Sequence, residues 1–297
     1  VTVTDTEKPV VKTQDITVYP DASGNAVITA TQINNGSTDN CGIAAMSLNK
    51  TNFDCLNLGV NTVVLTVTDI NGNADSKTAT VTVGDNTKPT VTTKDIIVYL
   101  DAVGNATILA AQIDNGSADN CSIVTRVLSK TVFDCSNVGV NTVTLTVTDA
   151  SGNSSSKAAT VTVTDNIAPA VGTQNLVIQL NASGTATITA AQVNNGSTDN
   201  CSIVSYSLDK TLFTCSDTGV NTVTLTVTDA SGNSSSKTAT VTVQDKIAPL
   251  ISAVASQSFC TNAAGTYPIP ALAATDNGGI ASVGYVISGA TNRSGTG

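Results

Sequence analysis

Of the 22 acidic residues in this 297-residue chain, 21 are Asp, and only Glu7 is Glu. A carboxylate on so short a stem does two kinds of chemistry well. It bonds its own backbone in turns, and it offers a rigid oxygen ligand to a hard cation. Many of the Asp residues recur at one fixed step of about 80 residues, the mark of an internal repeat. Asp5, Asp85, Asp165 and Asp245 keep that step, as do Asp39, Asp119 and Asp199, and Asp69, Asp149 and Asp229. Asn companions follow it at Asn40, Asn120 and Asn200 and at Asn73, Asn153 and Asn233. Asp276 occupies the corresponding place near the C-terminus, in Thr275-Asp276-Asn277-Gly278 where the first and third copies read Thr-Asp-Asn-Cys and the second Ala-Asp-Asn-Cys.

Cysteine is the second reactive residue type. Six of the seven cysteines repeat at the same step, as Cys41, Cys121 and Cys201 and as Cys55, Cys135 and Cys215. Their nearness in sequence predicts the pairs Cys41–Cys55, Cys121–Cys135 and Cys201–Cys215. Each would close a loop of about 15 residues, worth about 3 kcal/mol in the chain-entropy model. Such regular pairing points to an oxidising compartment. Cys260 is left over. Its expected partner is a Cys beyond Gly297, with a free thiol or an interchain bond as the alternatives.

Other chemistry is poorly provided for. The chain has no His, which removes His-based acid–base catalysis, the usual hydrolytic triads and nearly every catalytic zinc site. The cysteine spacing is not C-x-x-C, so a redox or zinc motif is absent. Paired carboxylates recur once per repeat with no nucleophile or oxyanion site beside them, and no enzyme is expected. A net charge of −9 leaves no basic stripe for nucleic acid. No apolar run approaches the roughly 18 residues that cross a bilayer. No signal peptide opens the sequence, so the expected secretion signal lies elsewhere in a parent chain.

The elements that must position these residues are legible from the repeat. Pro9, Pro89, Pro169 and Pro249 keep the same step, and each closes an Asp-x-x-x-Pro linker. The boundaries expected from the linkers are repeats at 6–85, 86–165 and 166–245, with a partial, divergent fourth at 246–297. Residues 1–5 read as the last strand of a preceding repeat, so a longer parent chain is expected. Thr, Val, Ala, Ser and Asn dominate, and aromatics make up 3% with no Trp. Such a composition builds small β domains filled by Val, Ile, Leu and Ala. Within a repeat, Val63, Leu65 and Val67 fall on one face of the run Thr62–Thr68, and Ala79, Val81 and Val83 on one face of the run Lys77–Val83, which marks two half-buried strands. Asp69 to Asn73 supplies the turn between them. A second hairpin is expected from Asp15–Tyr19 through the turn Asp21–Asn25 into Ala26–Ala30. A polar loop at 34–40, a strand near 43–48, a short one near Phe53 and a turn at Gly59 complete about seven strands. The fold class expected is all-β: tandem immunoglobulin-like β-sandwich repeats of about 80 residues, forming an extended rod. At the strand rise, each repeat advances that rod by about 35–45 Å.

This topology brings the Asp residues together. The last strand of a repeat runs toward the next linker, so the turn before it lies at the opposite, N-terminal pole. The loop holding Asp39 and Asn40 reaches that pole too, as does the linker Asp5. Asp5, Asp39, Asn40, Asp69 and Asn73 should therefore meet. Asp85, Asp119, Asn120, Asp149 and Asn153 should meet in the second repeat, and Asp165, Asp199, Asn200, Asp229 and Asn233 in the third, with Asp245 and Asp276 at the fourth junction. Calcium takes about 6–8 oxygens, which such a cluster with carbonyls and water supplies. The other reading is that each Asp and Asn only shapes its turn.

Thr-Asp-Asn-Cys before a middle strand, Thr-Asp-Ala-Ser-Gly-Asn in the last hairpin and Val-Thr-Asp-x-x-x-Pro at the junctions resemble hyalin-type (HYR) repeats. Copies this rich in Thr and Asn are especially similar to arrays in surface adhesins and filaments of gliding, type IX-secreting bacteria. The resemblance implies an immunoglobulin-like extracellular module acting in adhesion, surface display or fibre formation, often with calcium. The expected function is that of a stiff stalk or filament segment at a cell surface. Its partners would be neighbouring repeats of a longer chain, with surface glycans or other copies in a filament as further candidates. Two alternatives remain: the repeats themselves bind glycans or cells, or they space the catalytic part of a secreted polysaccharide-degrading enzyme.

Overall fold

The computed structural model describes residues 1–252, 271–287 and 293–296. Cys260 lies outside them. The chain forms two compact units, one of Val1–Tyr99 with Asn105–Thr164 and the other of Leu100–Gly104 with Asp165–Gly297.

In the first unit the opening repeat has six strands: Ile16–Val18 (β1), Asn25–Val27 (β2), Ile43–Leu48 (β3), Asn52–Asp54 (β4), Gly59–Asp69 (β5) and Ala74–Val83 (β6). One helical turn at Ala30–Ile33 (α1) and a 3-10 turn at Cys55–Asn57 join them. A four-stranded sheet in the order β1-β6-β5-β3 faces a β2-β4 ribbon. The repeat is copied as Ile96–Tyr99 (β7), Asn105–Thr107 (β8), Ala110–Ile113 (α2), Ile123–Leu128 (β9), Val132–Asp134 (β10), Gly139–Asp149 (β11) and Ser154–Thr164 (β12). Its sheet has the order β7-β12-β11-β9 and its ribbon is β10-β8.

The second unit holds a third copy: Leu176–Gln179 (β13), Thr185–Thr187 (β14), Ala190–Val193 (α3), Ile203–Leu208 (β15), Leu212–Thr214 (β16), Gly219–Asp229 (β17) and Ser234–Gln244 (β18). It pairs in the same order. Short pairs follow between Leu250–Ile251 (β19) and Ala274–Thr275 (β20), and between Gly284–Ile287 (β21) and Arg293–Thr296 (β22). The fold is tandem all-β sandwich repeats, and no described helix is long and apolar enough to cross a membrane.

The alternating pattern builds the core. Val63, Leu65 and Val67 are fully buried on the inner face of β5, beside Val81 and Val83 of β6. Ile28, Ile33 and Phe53 pack against them from the ribbon and α1. Each such side chain stabilises the repeat by about 1.5–3 kcal/mol relative to exposure. A Thr-rich, Trp-free sequence builds its interior from these.

The second expected hairpin does not form. β1 pairs in parallel with β6, Ile16 opposite Val81, while β2 pairs antiparallel with β4. The turn at Asp21–Asn25 therefore carries the chain from one sheet to the other. The outer edge of β6 carries buried Val81 and Val83, and pairing with β1 satisfies backbone groups there that would otherwise be stranded.

Strand registers fix the poles of each repeat. Ile43 pairs with Asp69, so the loop before β3 and the turn after β5 share one end. Asn25 pairs with Asp54, so the Asp21–Asn25 turn and Cys55 lie side by side, and β1 leads into that turn beside the linker end of β6. That is the opposite end.

Candidate cation sites and repeat seams

Three carboxylates meet at the N-terminal pole of each full repeat. Asp5, Asp39 and Asp69 each offer an oxygen, the three lying within 4.8 Å of one another. Asp85, Asp119 and Asp149 do the same, as do Asp165, Asp199 and Asp229. The linker, the loop before the third strand and the turn after the fifth each contribute one.

The hydrogen bonds divide each carboxylate into two halves. Asp5 Oδ1 accepts from Glu7 N at 3.0 Å, and Asp39 Oδ1 accepts from Cys41 N at 2.9 Å and Gly42 N at 3.1 Å. Asp85 and Asp119 each hold a backbone N–H two positions on, Thr87 N and Cys121 N, both at 3.0 Å. The second oxygens of Asp5, Asp39, Asp85, Asp119 and Asp199 are buried with no hydrogen-bond partner. Asn120 Oδ1 is stranded in the same way. One oxygen shapes the turn while the other faces its neighbours, so turn formation and cation binding are not alternatives here. Burying unpaired carboxylate oxygens beside one another costs free energy that a bound cation would offset.

Asp69, Asp149 and Asp229 form the floor of the clusters and are 1–2% exposed. Asp69 Oδ1 accepts from Asn71 N and Asn73 N, both at 2.8 Å, and Oδ2 accepts from Asn73 Nδ2 at 2.7 Å. Burial pushes its pKa up, but these donors outweigh burial and hold it below the ordinary value. The Asp5 carboxyl is also held low, first by the Glu7 N–H and then by the Cys41 thiol.

Asn73, Asn153 and Asn233 each tie two segments of their cluster together. Asn73 Nδ2 bridges Asp69 Oδ2 and the Asp5 carbonyl at 3.1 Å, and Asn153 and Asn233 repeat the bridge to Asp85 and Asp165. They present a donor to the cluster, so they brace the aspartates. The Asn40 side chain helps hold the Asp5 carboxyl low, and in the third repeat Asn200 Nδ2 donates to Asp165 Oδ1 at 3.1 Å. At the fourth junction Asn277 Nδ2 donates to Asp245 Oδ1 at 3.1 Å, and Asp276 Oδ1 and Asn277 Oδ1 are buried without partners. Among the described residues no third carboxylate joins that pair within 4.8 Å.

The expected disulfides are corrected. Cys55 bonds Cys121, with Cα atoms 5.3 Å apart and a sequence separation of 66. Cys41 and Cys215 are free thiols, so Cys41–Cys55, Cys121–Cys135 and Cys201–Cys215 do not form. Cys135 and Cys201, one repeat beyond Cys55 and Cys121, are disulfide-bonded cysteines too. The reason is β3. Its six residues carry the chain from the pole of Cys41 to that of Cys55, roughly 20 Å at the strand rise. A disulfide tolerates a Cα separation of about 7 Å at most. Left free, the Cys41 thiol has its pKa raised, first by its hydrogen bond to Asp5 and then by burial and nearby carboxylates.

The bond closes a seam between the first two repeats. Asn120 Nδ2 donates to the Asp21 carbonyl at 3.2 Å, and Cys55 Sγ lies 3.5 Å from the Asn120 carbonyl oxygen. Gly24, at φ +79°, faces this contact, and a Cβ there would stand 2.6 Å from Asn120 O. Gly24→Ala is expected to destabilise the protein by about 1–3 kcal/mol, read as a lower Tm, through backbone strain and the displaced seam.

The second unit holds the same contact without the bond. Cys215 Sγ donates to Asn277 O at 3.0 Å, and a Cβ on Gly184 would meet that sulfur at 2.7 Å. Gly278 stands where Cys121 stands in the bonded seam, and a Cβ built on it lies 3.9 Å from Cys215 Sγ. Gly278→Cys is therefore expected to remove the Cys215 thiol from a thiol titration and to raise Tm. A thiol count that rises by one would show that the pair cannot close.

No protein-family model matches the sequence, and no curated protein sequence matches it. Among solved structures it is similar to the protocadherin gammaB4 extracellular domain, at 17% identity over 95% of this chain with a TM-score of 0.33. The chain spans 57% of that structure's length. A mouse cadherin-23 fragment shares 15% identity over 80% of this chain and 99% of its own, with a TM-score of 0.32. An endo-fucoidan hydrolase of glycoside hydrolase family 107 shares 15% over 81% of this chain and 44% of its own, with a TM-score of 0.22. Likeness this low says nothing of the site, and the tandem sandwich architecture stands on the sheets themselves.

Proposed function

We propose that the chain is a non-catalytic, calcium-loaded repeat segment of an extracellular protein, serving as a stiff structural or adhesive stalk. One observation carries this reading: three carboxylates converge at each full repeat, with buried oxygens that no hydrogen bond satisfies. Asp85, Asp119, Asn120 and Asp149 would hold the ion of the second repeat. Asp5, Asp39 and Asp69 would hold that of the first, and Asp165, Asp199 and Asp229 that of the third. Calcium suits an all-oxygen set of this kind, and a bound ion ties the linker to the body of its repeat. Disulfides agree with a location outside the cell.

The finer reading, hyalin-type modules of a bacterial surface adhesin or filament with repeats at 6–85, 86–165 and 166–245, rests on the sequence motifs. Calorimetric titration of chelator-treated protein tests the cation. About three calcium ions per chain, with magnesium competing poorly, supports the sites, and no heat of binding up to about 10 mM removes them, since extracellular calcium modules bind at about 10⁻⁴–10⁻³ M. Small-angle scattering tests the stalk separately: a compact particle in calcium would overturn it.

A further inference from the structure

We infer that the Cys55–Cys121 bond is a covalent bypass, which routes tension along the stalk past the chain between those residues. The inference rests on the stalk reading for its biological meaning and owes nothing to the cation. A protein pulled by its ends carries force along its shortest covalent path. Here that path runs from the N-terminus to Cys55, crosses the sulfur–sulfur bond to Cys121, and continues toward the C-terminus.

The bypassed segment contains the elements that would otherwise fail under load. It includes β5 and β6, which supply the buried Val63, Leu65, Val67, Val81 and Val83, and the Asp85–Pro89 linker between repeats. It also includes β7, β8 and α2 of the following repeat. In an array joined only by backbone, tension must pass through each linker and each long hairpin. With the bond in place the linker is slack, and rupture of either sandwich cannot release the bypassed length.

The bond is set where this matters. It joins the C-terminal pole of one repeat to the N-terminal pole of the next, against contacts that already dock the two poles: the Asn120 amide on Asp21 and the close approach at Gly24. A bond within one repeat, as sequence spacing alone predicts, would have left the linker in the force path. The seam after the third repeat keeps the docking but has Gly278 opposite the free Cys215, so beyond Cys215 tension returns to β17, β18 and the Asp245–Pro249 linker. The array thus has a guarded joint and an extensible one.

The test is single-molecule extension of the full chain, tethered at its two ends, for the wild type and for Cys55→Ser/Cys121→Ser with all other cysteines unchanged. The contour length of the fully extended chain is the readout, so a variant that folds poorly still reports. The double variant should be longer by about 230 Å, the sequence separation of 66 taken at about 3.5 Å per residue. Equal contour lengths would overturn the inference. A second arm places a protease site in the exposed turn at Ile70–Gly72, cut while the chain is held under force. The wild-type tether should survive the cut, and then part when a dithiol exchanges with the bond, leaving two protein thiols and a cyclic disulfide of the reductant. The double variant should part on cutting. Loss of both tethers on cutting would equally overturn it.

Discussion

Calcium at about 10 mM is expected to raise the melting temperature of chelator-treated protein by about 10–20 °C. At a free concentration about a hundred times the dissociation constant, each occupied site adds about 2.7 kcal/mol to its repeat. For a domain of this size each increment of about 1 kcal/mol moves the midpoint by about 4–8 °C. The stranded oxygens sharpen the prediction into one with two signs. Asp85→Asn keeps an Oδ1 acceptor for the Thr87 N–H but removes one charge from the cluster with Asp119 and Asp149. Without calcium the variant should melt at or above the wild-type temperature, because carboxylate repulsion is relieved. With calcium it should melt lower, because the second site has lost a ligand charge. A turn-forming role alone predicts no calcium response in either protein. A Tm indifferent to calcium would remove the cation from the account.

Removing the Cys55–Cys121 bond is expected to cost about 4 kcal/mol, since the chain-entropy term grows with the larger loop that this bond closes. Spread over two repeats, that is a fall in Tm of roughly 10 °C. The shape of the transition should change as well. With the bond intact the first two repeats are tied at the seam and should melt together. After Cys55→Ser/Cys121→Ser, or after reduction, only the Asn120–Asp21 contact and its neighbours hold the seam, and two transitions should separate in calorimetry. A melt unmoved by complete reduction, verified by thiol count, would show that the bond does not stabilise the folded pair.

Both predictions concern interactions that the sequence announced unequally. The sequence by itself determined the repeat and its length, the all-β class and the inward face of the long hairpin, since Val63, Leu65 and Val67 alternate and alternation dictates a buried face. It also determined which aspartates meet. Counting strand directions from the linker placed Asp5, Asp39 and Asp69 at one pole, and topology of that kind survives without coordinates.

Only the tertiary structure decided what those groups do there. Asn73 and Asp69 are both polar turn residues with oxygen to offer, and only the hydrogen bonds show that Asn73 donates while Asp39 keeps a free oxygen. The hairpin expected from Asp15 to Ala30 was lost to the edge of β6, a partner far along the chain whose demand for pairing no local pattern reveals. The cysteines are the plainest case. Cys41 and Cys55 are near in sequence, yet a strand separates them in space, while Cys55 and Cys121, with a sequence separation of 66, touch. Periodicity and turn chemistry act over a few residues and can be read along the chain. Which poles meet across a linker depends on how two sandwiches dock, and no local pattern along the chain encodes that.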